Sequence, residues 1–243
     1  MTGIWRKSLL IINVKWPVRS KKRPRHLGSN CLLVAPSAKG LRQAVDVVRN
    51  GGVVAFPTET YYGLAVDPHN ARAVDSLFQV KGRGDEKPIL LLIVDPRDLR
   101  SLVQEVPEQY EALMAKFWPG PLTLVFPAAA GIPSRLLGGT GTVGVRISPH
   151  LVARNFCHAF GGPLTATSAN LSGQTPARTA QEVAQQFGSR LDLIIDGGET
   201  SGESGSTVIG LKEGHLQLIR PGRVEYSLIR ECFRPAGRGH VDD

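Results

Sequence analysis

A single α/β domain, with helices packed over a twisted mixed sheet, is the fold class this sequence predicts, and three observations predict it. Short apolar runs bounded by Gly and Pro alternate with segments whose apolar residues recur every three to four positions. Strands outnumber helices, and several neighbours are joined by short polar turns, which disfavours a strict βαβ repeat. The 243 residues are 42% hydrophobic and 21% charged, ordinary for a globular chain with one substantial core.

Leu41, Ala44, Val45 and Val48 share one helical face, and Asn50-Gly51-Gly52 stops that helix. Residues 53–56 read as the first buried strand, ended by Pro57. A second strand, residues 62–66, follows the polar turn Thr58, Glu59, Thr60. Residues 71–80 are helical, with Ala71, Val74, Leu77 and Phe78 expected to face inward. Residues 81–88 show neither period and read as a loop. Residues 89–94 are continuously apolar between Pro88 and Pro96, the mark of a strand covered on both faces. Pro107 opens a helix that Trp118-Pro119-Gly120-Pro121 closes. Residues 122–126 and 143–147 read as strands across a Gly-rich crossing, 149–159 as a helix and 164–167 as a strand. A helix over 179–187 and strands over 193–195, 207–209 and 216–219 complete the domain.

The formal charge of +8 is not spread over this body. Residues 1–30 hold eight Lys or Arg and no Asp or Glu, which leaves 21 basic against 21 acidic side chains elsewhere. The chain therefore divides into a basic N-terminal extension over 1–36, flexible or a targeting segment, a domain over 37–230 and a C-terminal tail over 231–243. A transit peptide, a nucleic-acid-binding arm and an upstream start all fit the extension. Cys31, Cys157 and Cys232 form no CxxC pair, which argues for a reducing compartment and against a structural zinc. Cys157 falls among Leu151, Val152, Phe156 and Phe160, as a buried small hydrophobe does. No run of about eighteen apolar residues is present, as a spanning helix would need. Neither GxGxxG nor GxxxxGK[ST] occurs, so any nucleotide must be held without those loops.

Four polar clusters interrupt the apolar strands at their ends. Thr58 to Gly63 places hydroxyls and Glu59 between Pro57 and Gly63. Lys81, Arg83 and Lys87 set three cations within seven residues, suited to phosphate or carboxylate because an ammonium and a guanidinium fork approach an anion differently. Thr165 to Gly173 offers four hydroxyls and the Asn170 amide from the end of a strand, enough to cradle phosphates or to hold a base through Asn170. Gly205-Ser206-Thr207 and Arg220-Pro221-Gly222 make the fourth cluster. Arg146 lies inside an apolar strand, where a charge needs an anion or a partner. For Arg146 and Arg220 a structural ion pair is the alternative reading; a tight turn, a solvated loop and an Asx-turn loop are the alternatives for the first three clusters.

In this order the clusters, with Phe117-Trp118-Pro119-Gly120-Pro121-Leu122-Thr123, resemble the L-threonylcarbamoyladenylate synthases, the YrdC/Sua5-like family in its short form, over residues 41–225. The resemblance implies helices and a mixed sheet around a positively lined concave site. It implies a nucleotidyltransferase that converts L-threonine, bicarbonate or CO2 and ATP into threonylcarbamoyl-AMP and pyrophosphate. The product serves a separate tRNA threonylcarbamoyl-transferase complex that modifies the adenosine beside the anticodon. Lys81 and Arg83 are then the catalytic cations. Thr58, Tyr62, Lys87 and Thr167 would bind substrate, Thr58 helping to seat threonine; Arg146, Ser168, Asn170, Ser206, Thr207 and Arg220 would bind nucleotide. Mg2+ is expected to arrive on ATP, with no protein metal site, weak tRNA binding and no membrane association. Cytoplasmic placement is expected, with mitochondrial or plastid targeting as the alternative for a chain with this extension. Gly84 and Leu92 depart from the proline and histidine that many relatives carry there. An RNA-binding module without catalysis and a hydrogenase-maturation domain are the competing readings; the second would need paired zinc cysteines.

Overall fold

The computed structural model describes residues 31–234 and the backbone of 25–27. Expectations for residues 1–24, 28–30 and 235–243 fall outside the described residues. In chain order the strands are β1 (Arg25–Leu27), β2 (Cys31–Val34), β3 (Val54–Pro57), β4 (Tyr62–Ala65), β5 (Leu91–Leu92), β6 (Leu122–Pro127), β7 (Thr142–Arg146), β8 (Leu164–Thr165), β9 (Thr167–Ser168), β10 (Leu193–Ile195), β11 (Thr207–Lys212) and β12 (His215–Arg220). The helices are α1 (Ala38–Arg49), α2 (Ala71–Lys81), α3 (Glu111–Phe117), α4 (Leu151–Phe160), α5 (Ala180–Phe187) and α6 (Tyr226–Cys232).

Two mixed sheets of six strands share these elements, in the orders β1-β2-β10-β3-β4-β9 and β12-β11-β6-β7-β5-β8. Pattern along the chain did not separate them, because the junction lies within one expected strand. Residues 164–167 break at Ala166: β8 pairs with β5 in one sheet, and β9 pairs with β4 in the other. The main chain is tied on both sides of this break, from Thr165 N–H to the Val66 carbonyl (3.1 Å) and from Ala166 N–H to the Leu90 carbonyl (2.9 Å).

The continuous apolar runs are explained by two hydrophobic cores. From Val53 into β3 the side chains alternate, Val53 and Ala55 entering one core and Val54 and Phe56 the other. A strand so placed needs apolar residues at every position. Phe56 meets Phe156 of α4 edge to face, with centroids 5.7 Å apart. Leu41, Ala44, Val45 and Val48 of α1 fill the same core, as their spacing predicts, and Cys157 lies there too. Burial pushes its thiol up to about 12, so it behaves as a hydrophobe.

Some expected boundaries change. The run over 89–94 keeps only Leu91–Leu92 as regular strand, since Ile89 N–H bonds the Leu136 carbonyl and Ile93 N–H bonds that of Arg146. Ala71 is exposed in the first turn of α2, and Ala73 takes the inward place. The helix expected over 149–159 starts at Leu151, with His150 at its N-cap. The last two strands form a longer hairpin than expected, because Glu213 and Gly214 both adopt positive φ (52° and 77°) and make the tight turn that matches strand twist. Helix α2 is capped at its start by the Asn70 side chain on Ala73 N–H. It runs through Lys81 and stops at Gly82, which is left-handed at φ 57°. Lys81 is therefore the last residue of a helix, whereas the sequence places it in a loop.

Candidate active site

A cleft of about 310 Å³ draws its walls from both sheets. From the first come Thr58, Thr60 and Tyr61 of the β3–β4 turn with Thr167 and Ser168 of β9; from the second come Arg146 at the end of β7, Ser206 before β11 and Arg220 at the end of β12. Arg83, Pro88, Ile89 and Leu90 complete the wall between α2 and β5. The site forms at strand ends because the apolar alternation stops there and the polar side chains that follow line the space between the sheets.

Three guanidinium groups share this cleft. Arg83 spends two donors on the carbonyls of its own loop, Nε to Lys87 (3.0 Å) and Nη2 to Pro88 (2.9 Å). Arg220 folds its tip onto Ser206, with Nη2 donating to the carbonyl at 2.9 Å and the hydroxyl at 3.2 Å. Neither has a carboxylate within salt-bridge distance among the described residues. Arg146 differs: it is 4% exposed and its Nη1 donates to the Glu59 carboxylate, which also accepts from the Ser148 hydroxyl. Burial pulls all three arginines below their ordinary range. For Arg83 the charge of Arg220 adds to this against Glu86, and for Arg220 the charge of Arg146 adds to it. Such mutual repulsion is relieved by an entering anion.

Of the residues expected from sequence, Thr58, Tyr62, Arg83, Arg146, Thr167, Ser168, Ser206 and Arg220 line the cleft. Their hydroxyls are partly committed. Thr58 donates to the Tyr61 carbonyl at 2.7 Å, and Ser206 shares a bond with Thr123 at 2.8 Å. Tyr62 donates to the Gly198 carbonyl (2.8 Å) and accepts from Gly197 N–H (3.2 Å), so it presents its ring. Burial raises its phenol well above the ordinary value.

Lys81, Lys87, Asn170 and Thr207 do not line it. Lys87 is exposed. The Thr207 hydroxyl is fully buried and bonds both the carbonyl and the N–H of Val224, at 2.7 and 2.9 Å. Lys81 is 1% exposed, and its ammonium donates to the carbonyls of Ser168 and Asn170 and, at 3.4 Å, to Asn170 Oδ1. Asn170 uses its whole amide. Oδ1 also accepts from Ser168 Oγ, and Nδ2 donates to the carbonyls of Leu171 (2.9 Å) and Gln174 (2.7 Å). The lysine and the amide thus build the wall that presents Ser168. Burial, with Arg83 as the second cause, pushes Lys81 down to about 7.

Sequence reasoning missed Pro176 and the partnership of Glu59 with Ser148. Pro176 carried no local signal. Ser148 stands two residues after Arg146, on the same side of an extended chain, which was a usable hint. Leu92, the departure from the family pattern, is 1% exposed and packs in the core with α4. The cleft takes Leu90 instead.

A family model described as Sua5_yciO_yrdC, Telomere recombination, matches residues 46–222. A threonylcarbamoyl-AMP synthase of Vibrio cholerae is 43% identical over 187 residues, which cover 76% of this chain and 98% of that one. A threonylcarbamoyl-AMP synthase of Pyrococcus abyssi is 42% identical over 182 residues, or 75% of this chain, and the match spans 54% of that protein's length. The crystal structure of P. abyssi Sua5 complexed with L-threonine superposes with a TM-score of 0.79 at 38% identity, over 84% of this chain and 61% of that one. With the fold, the cleft and the ordered polar clusters in agreement, this chain belongs to the Sua5/YciO/YrdC family.

Proposed function

We propose that the chain is a threonylcarbamoyl-AMP synthase, taking L-threonine, bicarbonate or CO2 and ATP to threonylcarbamoyl-AMP and pyrophosphate. The product would feed a tRNA threonylcarbamoyl-transferase complex. The observation that carries this reading is a cleft in which Arg83 and Arg220 face open space without carboxylate partners among the described residues. Family membership supplies the substrate class, and the relative with bound L-threonine has the same fold.

The chemistry fits that electrostatics. The threonine amine adds CO2 and loses a proton to give a carbamate. One carbamate oxygen then attacks the α-phosphorus of ATP, forming the P–O bond as the bond to pyrophosphate breaks. Both reactants are anions, so guanidinium charge in a partly enclosed cleft reduces their repulsion and favours the transition state. Arg83 and Arg220 meet the phosphates. Ser168 and Ser206 offer hydroxyls to nucleotide, while Thr58, Thr167 and the Tyr62 ring shape the threonine side. Lys81 and Asn170 act on the Ser168 wall from behind, and Thr207 secures the start of β11. MgATP enters as substrate, its metal held by phosphates and water. Among the described residues no group of three or more His, Cys, Asp or Glu is placed to hold a metal ion, and no helix is long and apolar enough to cross a membrane.

The test is threonine-dependent pyrophosphate release with identification of threonylcarbamoyl-AMP, in the presence of bicarbonate and MgATP. Product that requires threonine and bicarbonate together supports the reading. A folded protein that makes none where a relative does would refute it.

A further inference from the structure

We infer that Glu59 is a positioning residue: its carboxylate sets which donors of Arg146 face the cleft, and so how tightly an anionic group of a substrate is held there. This rests on the reading of the cleft as the synthase site. Glu59 stands at the tip of the β3–β4 turn, on the opposite sheet from Arg146 and 87 positions away in the sequence. Its side chain is 11% exposed and that of Arg146 is 5% exposed. A pair so buried is costly to assemble unless its remaining lone pairs are used, and here Ser148 occupies the second carboxylate oxygen at 2.5 Å.

Three features point to positioning rather than to fold support alone. First, the guanidinium is engaged at one end only. Nη1 is on Glu59, Nε is buried without a partner among the described residues, and the group lines the cleft. A guanidinium pinned at one nitrogen presents its other donors in a fixed plane. Second, Arg146 adds to the repulsion on Arg220, which itself acts on Arg83. Glu59 neutralises one member of this row and leaves the other two open to an anion.

Third, the turn that carries Glu59 is held rigidly. Thr58 N–H and its hydroxyl both donate to the Tyr61 carbonyl, at 3.1 and 2.7 Å. The Glu59 carbonyl accepts from Ser201 Oγ at 2.8 Å and Arg223 Nη1 at 3.2 Å, and Gly202 N–H reaches the Thr60 carbonyl at 2.8 Å. Side chain and main chain of Glu59 therefore bind Arg146 on one side and Ser201 and Arg223 on the other. Support of this kind keeps a binding group within the narrow range of productive geometry.

The ligand chemistry is an anionic oxygen pair, which either the threonine-derived carboxylate or an ATP phosphate can supply. The experiment is a double-mutant cycle on the full chain, with Glu59→Gln, Arg146→Gln and the two combined, plus Glu59→Asp. Pyrophosphate release is measured against threonine at saturating ATP and against ATP at saturating threonine. Arg146→Gln raises KM for one of the two, which identifies the source of the anion. Glu59→Gln raises the same KM about tenfold, while the other KM and kcat at saturation stay within about twofold. Glu59→Asp recovers part of the loss, and the double variant is no worse than Arg146→Gln alone. Glu59→Gln with both KM values unchanged, whatever its melting temperature, would overturn positioning and leave a structural ion pair. Effects of the two substitutions that multiply in full would overturn action through Arg146. Wild-type KM values in Arg146→Gln would overturn the placement of Arg146 in the site, and this inference with it, while threonine-dependent synthesis by the wild type would still stand. Should Glu59→Gln fail to fold, Glu59→Asp reads the same KM.

Discussion

Replacing Lys81 by methionine separates two roles that a lysine in this place can have. The ammonium is buried and donates to the carbonyls of Ser168 and Asn170, with a weaker third contact at 3.4 Å. Two charge-assisted bonds at about 1.5 kcal/mol each give roughly 3 kcal/mol of loop ordering, equal to about a hundredfold in the population of the ordered wall. Other ties share that load. Ala169 N–H holds the Tyr62 carbonyl at 2.7 Å, and Ala177 N–H holds that of Ala169 at 3.0 Å. KM for ATP should therefore rise by roughly ten- to a hundredfold, with kcat at saturation reduced less than about tenfold. Methionine fills the lysine stem, and removing a buried ammonium also removes its desolvation cost, so global stability should stay within about 2 kcal/mol of wild type. Lys81→Ala leaves a cavity as well and should cost about 2 to 4 kcal/mol. Urea unfolding and pyrophosphate release across ATP concentrations read both quantities. A folded Lys81→Met protein that loses turnover a hundredfold with KM unchanged would refute the positional reading. A loss of about 2.7 to 4 kcal/mol of that kind is what an ammonium at the reacting phosphate supplies.

The same lysine has a pH signature: held near 7 when folded against 10.5 in an ordinary lysine, it binds fewer protons folded than unfolded between those values. Wild-type stability should therefore rise relative to Lys81→Met from about pH 7 towards 10.5; a flat difference in urea unfolding would show that the carbonyl acceptors keep the proton. Thr207→Val should lower stability by about 1 to 2 kcal/mol while leaving both KM values unchanged, because its hydroxyl is spent on Val224. A rise in KM for ATP would return that hydroxyl to the nucleotide. Ser168→Ala should raise KM for ATP with little change in melting temperature, whereas Asn170→Ala, which strands the carbonyls of Leu171 and Gln174, should cost about 2 to 3 kcal/mol. Equal thermal shifts for the two would contradict this division. Phe156→Ala should destabilise by about 3 to 5 kcal/mol through the core it shares with Phe56, with KM values unaffected in the protein that remains folded.

What the sequence determined by itself is what depends on neighbours along the chain. The buried stripe of α1, the apolar runs of β3 and β10 and the polar clusters at strand ends follow from periods of 3.6 and 2 and from Gly and Pro punctuation. The order of those clusters was enough to mark the family. Tertiary structure decided which polar side chains face the cleft. Lys81 and Arg83 are two residues apart, yet one ends a helix beneath the wall and the other lines the space. The choice was made by the Gly82 cap, which turns the chain between them. Arg146 could have met an anion or a partner. It met Glu59 because strand order brings two sheets together at Ala166 and sets the β3–β4 turn against the end of β7. Side-chain periodicity carries no information about which strand end lies opposite which, because that is fixed by how two cores close around the same strands.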